Sequence, residues 1–202
     1  MRFNLFSIKV YLSYPAVALI GISLFSGYSG NSLLIFCLIS TIIHELGHLI
    51  FICKYMGKPD SIVINPGEVR INSDLSEVTF LQDIYITSAG VIFNLLTTVI
   101  SLIVFYIFNV KIFFDFALCN LCLGVINLLP VRSFDGGQLL SSLLLCKLSE
   151  RTTDVIINTL TIITFIPLAT AGIYILFVTK YNYSLLIIAI YTITLIISKE
   201  TR

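Results

Sequence analysis

The chain has 202 residues, of which 57% are hydrophobic and 11% charged, with a formal net charge of +1. A water-soluble domain carries about 25% charged residues, so this composition excludes one, and a near-neutral chain without basic blocks offers nucleic acid no electrostatic footprint. Several apolar runs reach the roughly 17–25 residues that cross a bilayer as helix, and the expected class is an all-α polytopic protein of the cell membrane.

Six spans are read from these runs, at about 10–27, 32–53, 83–108, 113–129, 155–178 and 181–198, in one transmembrane domain over 1–202. Arg2 and Lys9 precede the first run as in a signal peptide. That run exceeds the 7–15 residues of a signal core, and the Ser/Gly stretch after it lacks an A-x-A cleavage site. It is therefore expected to be a retained span.

The second span contains His44-Glu45-Leu46-Gly47-His48, with the only two histidines of the chain. Histidines four apart project from one helix face, a turn apart, and both rings can reach one metal ion. Glu45 lies beside that face and can act on a water there without being a ligand. The plainer reading is a pair of hydrogen-bonded core histidines. Ionisable groups at mid-membrane cost roughly 2.5–3.5 kcal/mol each even on the mildest scale, which favours a functional cluster.

After this span, Ser61–Asn65 and Glu68–Asn72 alternate apolar and polar residues around Asn65-Pro66-Gly67. The pattern predicts two short strands and a turn, a β-hairpin-like insertion between the second and third helices. A hairpin alone is barely stable and should pack on the bundle or lie in the interface. Its free edge can take an extended peptide by strand addition; the alternative is a plain surface hairpin.

The third span carries Ser88, Gly90, Asn94, Thr97, Thr98 and Ser101, a small and polar stripe of the kind that faces other helices. Asn94 is the exception, an amide suited to hydrogen-bonding a substrate carbonyl. Asn120, Gly124 and Asn127 mark the fourth span, which breaks at Pro130 and leads through Asp135-Gly136-Gly137 into a helical run over 138–148. Taken alone, Asp135 is a turn or helix-capping residue.

Topology adds a second reading. With both termini cytoplasmic, only Lys111 and Lys180 of the twelve lysines and arginines lie outside. Spans two and four then both run inward, and Asp135 arrives on the side of His48. Two histidines and a carboxylate leave one tetrahedral position open, the arrangement of a catalytic zinc site. Cys119 and Cys122 have C-x-x-C spacing, but within a membrane helix they are read as packing residues. The last two spans carry no charged side chains over 155–178 and 183–198 and are expected to shield or gate the cleft.

Together these elements resemble the site-2 protease family of intramembrane zinc metalloproteases. The resemblance rests on H-E-L-G-H at 44–48, on Gly90-Val91-Ile92-Phe93-Asn94, and on Asn127-Leu128-Leu129-Pro130 leading to Asp135-Gly136-Gly137, with the hairpin segment in the place the family has one. It implies His44, His48 and Asp135 as ligands of one Zn2+ per chain, Glu45 as general base, and Asn94 and Asn127 as groups that position the substrate backbone. It further implies regulated intramembrane proteolysis of a membrane-anchored protein, with the lipid bilayer and a regulatory membrane partner around the enzyme. Val91 and Ser133 stand where the family usually has proline, which bears on how the helices bend. No PDZ or CBS domain is expected, so the chain resembles a minimal member. Three rivals are weighed. One is a metal-ion carrier or transporter using His44, Glu45 and His48, against which no internal repeat is found. Another is a membrane zinc protease with Glu150 as third ligand, and the last is an inactive relative serving as a binding partner.

Overall fold

The computed structural model describes residues 2–5, 8–28, 30, 32–57, 59, 61–65, 68–72 and 78–179. Two compact units are distinguished, Met1–Ile126 and Asn127–Arg202.

The first unit opens with two strands, β1 (Arg2–Leu5) and β2 (Ile8–Leu12), followed by helices α1 (Tyr14–Tyr28) and α2 (Leu33–Met56). Strands β3 (Ser61–Asn65) and β4 (Glu68–Asn72) come next, then α3 (Phe80–Phe108) and α4 (Lys111–Asn127), whose last residue begins the second unit. The expected first span is thus divided: residues 10–12 belong to β2, and the helix covers Tyr14–Tyr28. The reason lies in Ile8, Val10 and Leu12 alternating with Lys9 and Tyr11, a period-two pattern that suits a strand.

Residues 61–65 and 68–72 are strands, but they do not stand as an isolated pair. The sheet has four strands in the order β1-β2-β3-β4. β1 and β2 pair antiparallel, β2 and β3 pair parallel from Lys9↔Ser61 to Leu12↔Ile64, and β3 and β4 pair antiparallel from Ser61↔Asn72 to Asn65↔Glu68. Two-stranded hairpins are marginal in water; pairing both around a central β2–β3 contact removes that weakness, and Val10 is buried there.

Helix ends follow local chemistry. Thr79 and Gln82 form a capping box at the start of α3, the Thr79 N–H donating to Gln82 Oε1 at 2.9 Å. α3 ends at Asn109, in the left-handed region at φ 52° that asparagine tolerates, its N–H donating to the Phe105 carbonyl at 2.7 Å. Position 91 is valine, and α3 runs through it unbroken.

Among the described residues, three helical stretches are long and apolar enough to cross a membrane: Leu33–Met56, Phe80–Phe108 and Glu150–Tyr174. α4, at 17 residues, is about 25 Å long, and α1, at 15, about 22 Å, against a hydrocarbon core of about 30 Å. The expected sixth span, 181–198, lies outside the described residues. Polarity in the first unit runs opposite to that of a soluble protein. Ser40, His44, Asn94, Thr98, Ser101 and Asn120 are buried, while Ile42, Ile50, Leu96, Ile100 and Ile103 are exposed. Lipid tolerates the second group, and helix contacts take the first. The Thr98 hydroxyl donates to the Asn94 carbonyl at 2.9 Å, and Phe36 of α2 meets Phe116 of α4 edge-on at 5.7 Å.

The second unit contains α5 (Asp135–Leu145) and α6 (Glu150–Thr179). Between α4 and α5 the chain folds back tightly on itself. A methyl group on Gly136 would overlap the Leu128 carbonyl oxygen, and one on Gly137 that of Val131. Arg132 pins the turn to α6: its N–H donates to Thr161 Oγ1 and its guanidinium to Asn158 Oδ1, both at 3.1 Å, and it pairs with Asp154 at 2.8 Å. The ion pair is largely exposed, so it directs the turn more than it stabilises it. Gly136→Ala or Gly137→Ala must displace backbone and should cost about 1–3 kcal/mol. That is a fall of about 2–4 °C in Tm per kcal/mol, read by thermal unfolding of the detergent-solubilised chain.

Candidate metal centre

Along α2 the buried face runs through Phe36, Ser40, His44 and Gly47. His44 is only 4% exposed, and His48 follows one turn later, half-buried. Their rings sit nearly perpendicular, at 81°, with centroids 4.8 Å apart and the two Nε2 atoms 3.2 Å apart. Two nitrogens each about 2.0–2.1 Å from one tetrahedral zinc ion stand about 3.3–3.4 Å apart. The pair fits that ion by spacing and by the preference of zinc for imidazole.

What sets the rings this way is the crossing of α2 and α3. A methyl group on Gly47 would lie 2.8 Å from the Ala89 carbonyl oxygen and 3.1 Å from Gly90 Cα. One on Gly90 would overlap His48 Nε2 and lie 2.8 Å from His44 Nε2. Both positions therefore require glycine, and close backbone approach is what small residues give a membrane helix pair. At that approach α3 supplies two polar groups. His48 Nδ1 is 2.7 Å from the Ile86 carbonyl oxygen. A carbonyl only accepts, so this nitrogen carries the proton, and in the neutral ring Nε2 keeps its lone pair. The Asn94 amide stands at His44 Nδ1, 3.2 Å from its Nδ2.

The other expected site residues are distributed as follows. Glu45 is half-buried on the same turn of α2 as His44. Asn94 was expected to face a substrate carbonyl; its side chain has no exposed surface and lies against His44 instead. Asn127 is the last residue of α4 and Asp135 the first of α5, both half-buried in the second unit. Glu150, the alternative third ligand, is exposed at the start of α6. Two contributors escaped the sequence reading. The Ile86 carbonyl is backbone and leaves no residue-type signal, and Gly90 was visible as one member of a packing stripe and of the 90–94 motif, without its contact to the two rings.

Three comparisons with known proteins agree in kind. The family model for peptidase family M50 matches residues 109–168. A zinc metalloprotease from Methanocaldococcus jannaschii is 30% identical over 135 residues, covering 63% of this chain and 39% of the relative, so the chain spans about two fifths of that protein's length. Among solved structures, a site-2 protease from the same organism aligns with a TM-score of 0.65 at 24% identity, over 95% of this chain and 91% of that one.

Proposed function

We infer that this chain is a member of the site-2 protease family of zinc metalloproteases and hydrolyses a peptide bond in or next to the spanning segment of a membrane-anchored protein. The observation that carries the reading is the His44–His48 pair, with Nε2 atoms 3.2 Å apart on a helix long and apolar enough to span a bilayer. His44 and His48 would hold one zinc ion per chain, and Asp135 would complete the ligand set as the carboxylate at the head of α5. When bound, zinc lowers the pKa of a water to about 7 and polarises a carbonyl.

Glu45 is the general base in this reading. It takes the proton of the attacking water and passes it to the leaving amine, two transfers that one carboxylate on a rigid helix can serve. Its half-buried place on the turn of α2 that carries His44 supports a role beside the ligands. A helical substrate conceals its peptide bonds in its own hydrogen bonds, so a segment must unwind before cleavage. Asn127 would hydrogen-bond the unwound backbone, and an edge of the sheet would hold the extended strand. In the full proposal, cleavage releases a membrane-tethered protein towards the cytoplasm under the control of a membrane partner, and both termini of the chain are cytoplasmic.

The carboxylate assignment is tested by metal analysis of the purified chain. Asp135→Asn should fall from about one zinc per chain to near none, and Glu150→Gln should stay near one. The reverse result moves the third ligand to Glu150. Metal-dependent uptake into vesicles, with no cleavage of any single-span protein offered, would replace the protease by a carrier.

A further inference from the structure

A neutral imidazole carries a single proton, and a ring that holds a metal through Nε2 must carry it on Nδ1. Each Nδ1–H of the pair then needs an acceptor. For His48 that acceptor is the Ile86 carbonyl, at 2.7 Å. At His44 Nδ1 the structure places the Asn94 amide, 3.2 Å away.

The two ends of that amide have opposite effects. An NH2 group turned to Nδ1 donates to it, drives the ring proton to Nε2 and removes the lone pair a metal needs. The oxygen turned to Nδ1 accepts from it and leaves Nε2 open. A half-turn about the side chain's last bond exchanges them at the same distance. Asn94 Oδ1 is buried with no hydrogen-bond partner among the described residues, and this half-turn supplies one. Asn94 has no exposed surface, so its reach ends at the ring and does not extend to a substrate.

We propose that Asn94 is a positioning residue: its side-chain oxygen accepts the Nδ1–H of His44 and fixes that ring with Nε2 turned to the metal. The proposal rests on the reading of His44 and His48 as ligands. It assigns α3 two matched acceptors two turns apart, the Ile86 carbonyl for one ring and the Asn94 side chain for the other. Outer partners of this kind orient metal-bound histidines and raise their basicity, and losing one typically weakens metal binding 10–100-fold.

The test compares zinc affinity, by chelator competition, for the full chain in detergent as wild type, Asn94→Leu and Asn94→Asp. Leucine keeps the volume and removes the acceptor; aspartate keeps an acceptor and cannot donate. Asn94→Leu should bind zinc about 10–100-fold more weakly, and Asn94→Asp should match or exceed wild type. With two histidines in the chain, 15N-histidine labelling yields four ring-nitrogen signals, and in the zinc-loaded wild type both Nδ1 atoms should be protonated. Equal affinity of wild type and Asn94→Leu overturns the assignment, as does equal loss in Asn94→Leu and Asn94→Asp with native helical content. If neither variant folds, the wild-type spectrum decides alone, and an unprotonated Nδ1 on His44 overturns it. A wild type that takes up no zinc fails the metalloprotease reading itself, a result distinct from zinc binding that ignores Asn94.

Discussion

Glu45→Gln should leave zinc bound and slow peptide cleavage by about 10²–10⁴-fold, the range that general acid–base catalysis contributes. Glutamine preserves the size of the side chain and its place on the turn of α2 that carries His44, so helix packing is undisturbed. It cannot take a proton from water. Because Glu45 is proposed as a base and not a ligand, metal content and activity should separate in this variant. The measurement is zinc per chain beside cleavage of a single-span reporter. Loss of zinc together with activity would make Glu45 a ligand, and undiminished turnover would remove it from the reaction.

Gly90→Ala should do the converse and empty the site. The added methyl would overlap His48 Nε2 and stand 2.8 Å from His44 Nε2, in front of the two lone pairs that would hold the ion. Relief requires either ring to swing away or α3 to shift. Zinc affinity should fall by at least about 100-fold, the upper end of the range for disturbed ligand support, while overpacking costs the fold only about 1–3 kcal/mol. Gly124→Ala is the control. Its methyl would meet nothing nearer than Asn94 Cβ, at 3.5 Å, an ordinary contact, and zinc binding should persist. Chelator competition on both variants reads the contrast, and tight zinc binding by Gly90→Ala would be incompatible with the ring geometry described.

Local pattern carried much of this molecule's design into plain view. The histidine pair was legible because helical spacing alone puts residues 44 and 48 on one face, and the strands at 61–65 and 68–72 because their alternation is interrupted by the turn-forming residue types Pro and Gly. Residues 8–12 alternate as well, yet they abut the apolar run of α1 without a break, and the longer pattern masked the shorter. Asn94 shows a different limit. An amide within a membrane helix announces a function, but whether it faces a substrate or a neighbouring ring depends on which helix crosses there. That crossing is set by Gly47 and Gly90, 43 positions apart in sequence. The pairing of β2 with β3 is equally remote, since no local feature of either strand specifies a parallel partner.

That parallel pairing imposes a parity on the chain. Leu12 and Ser61 lie in adjacent strands of one sheet, so whatever separates them returns to the face it left. If α2 traverses the bilayer, α1 must traverse it too, with about 22 Å of helix against about 30 Å of hydrocarbon. β2 cannot make up the shortfall by sinking inward, because an open-edged sheet is not tolerated in lipid. Under that condition the mismatch is met by local thinning of the bilayer, by flanking side chains reaching to the interface or by association with further helices, each at a modest energetic cost. Acyl-chain length thereby becomes a mechanical load on the joint between the sheet and α1.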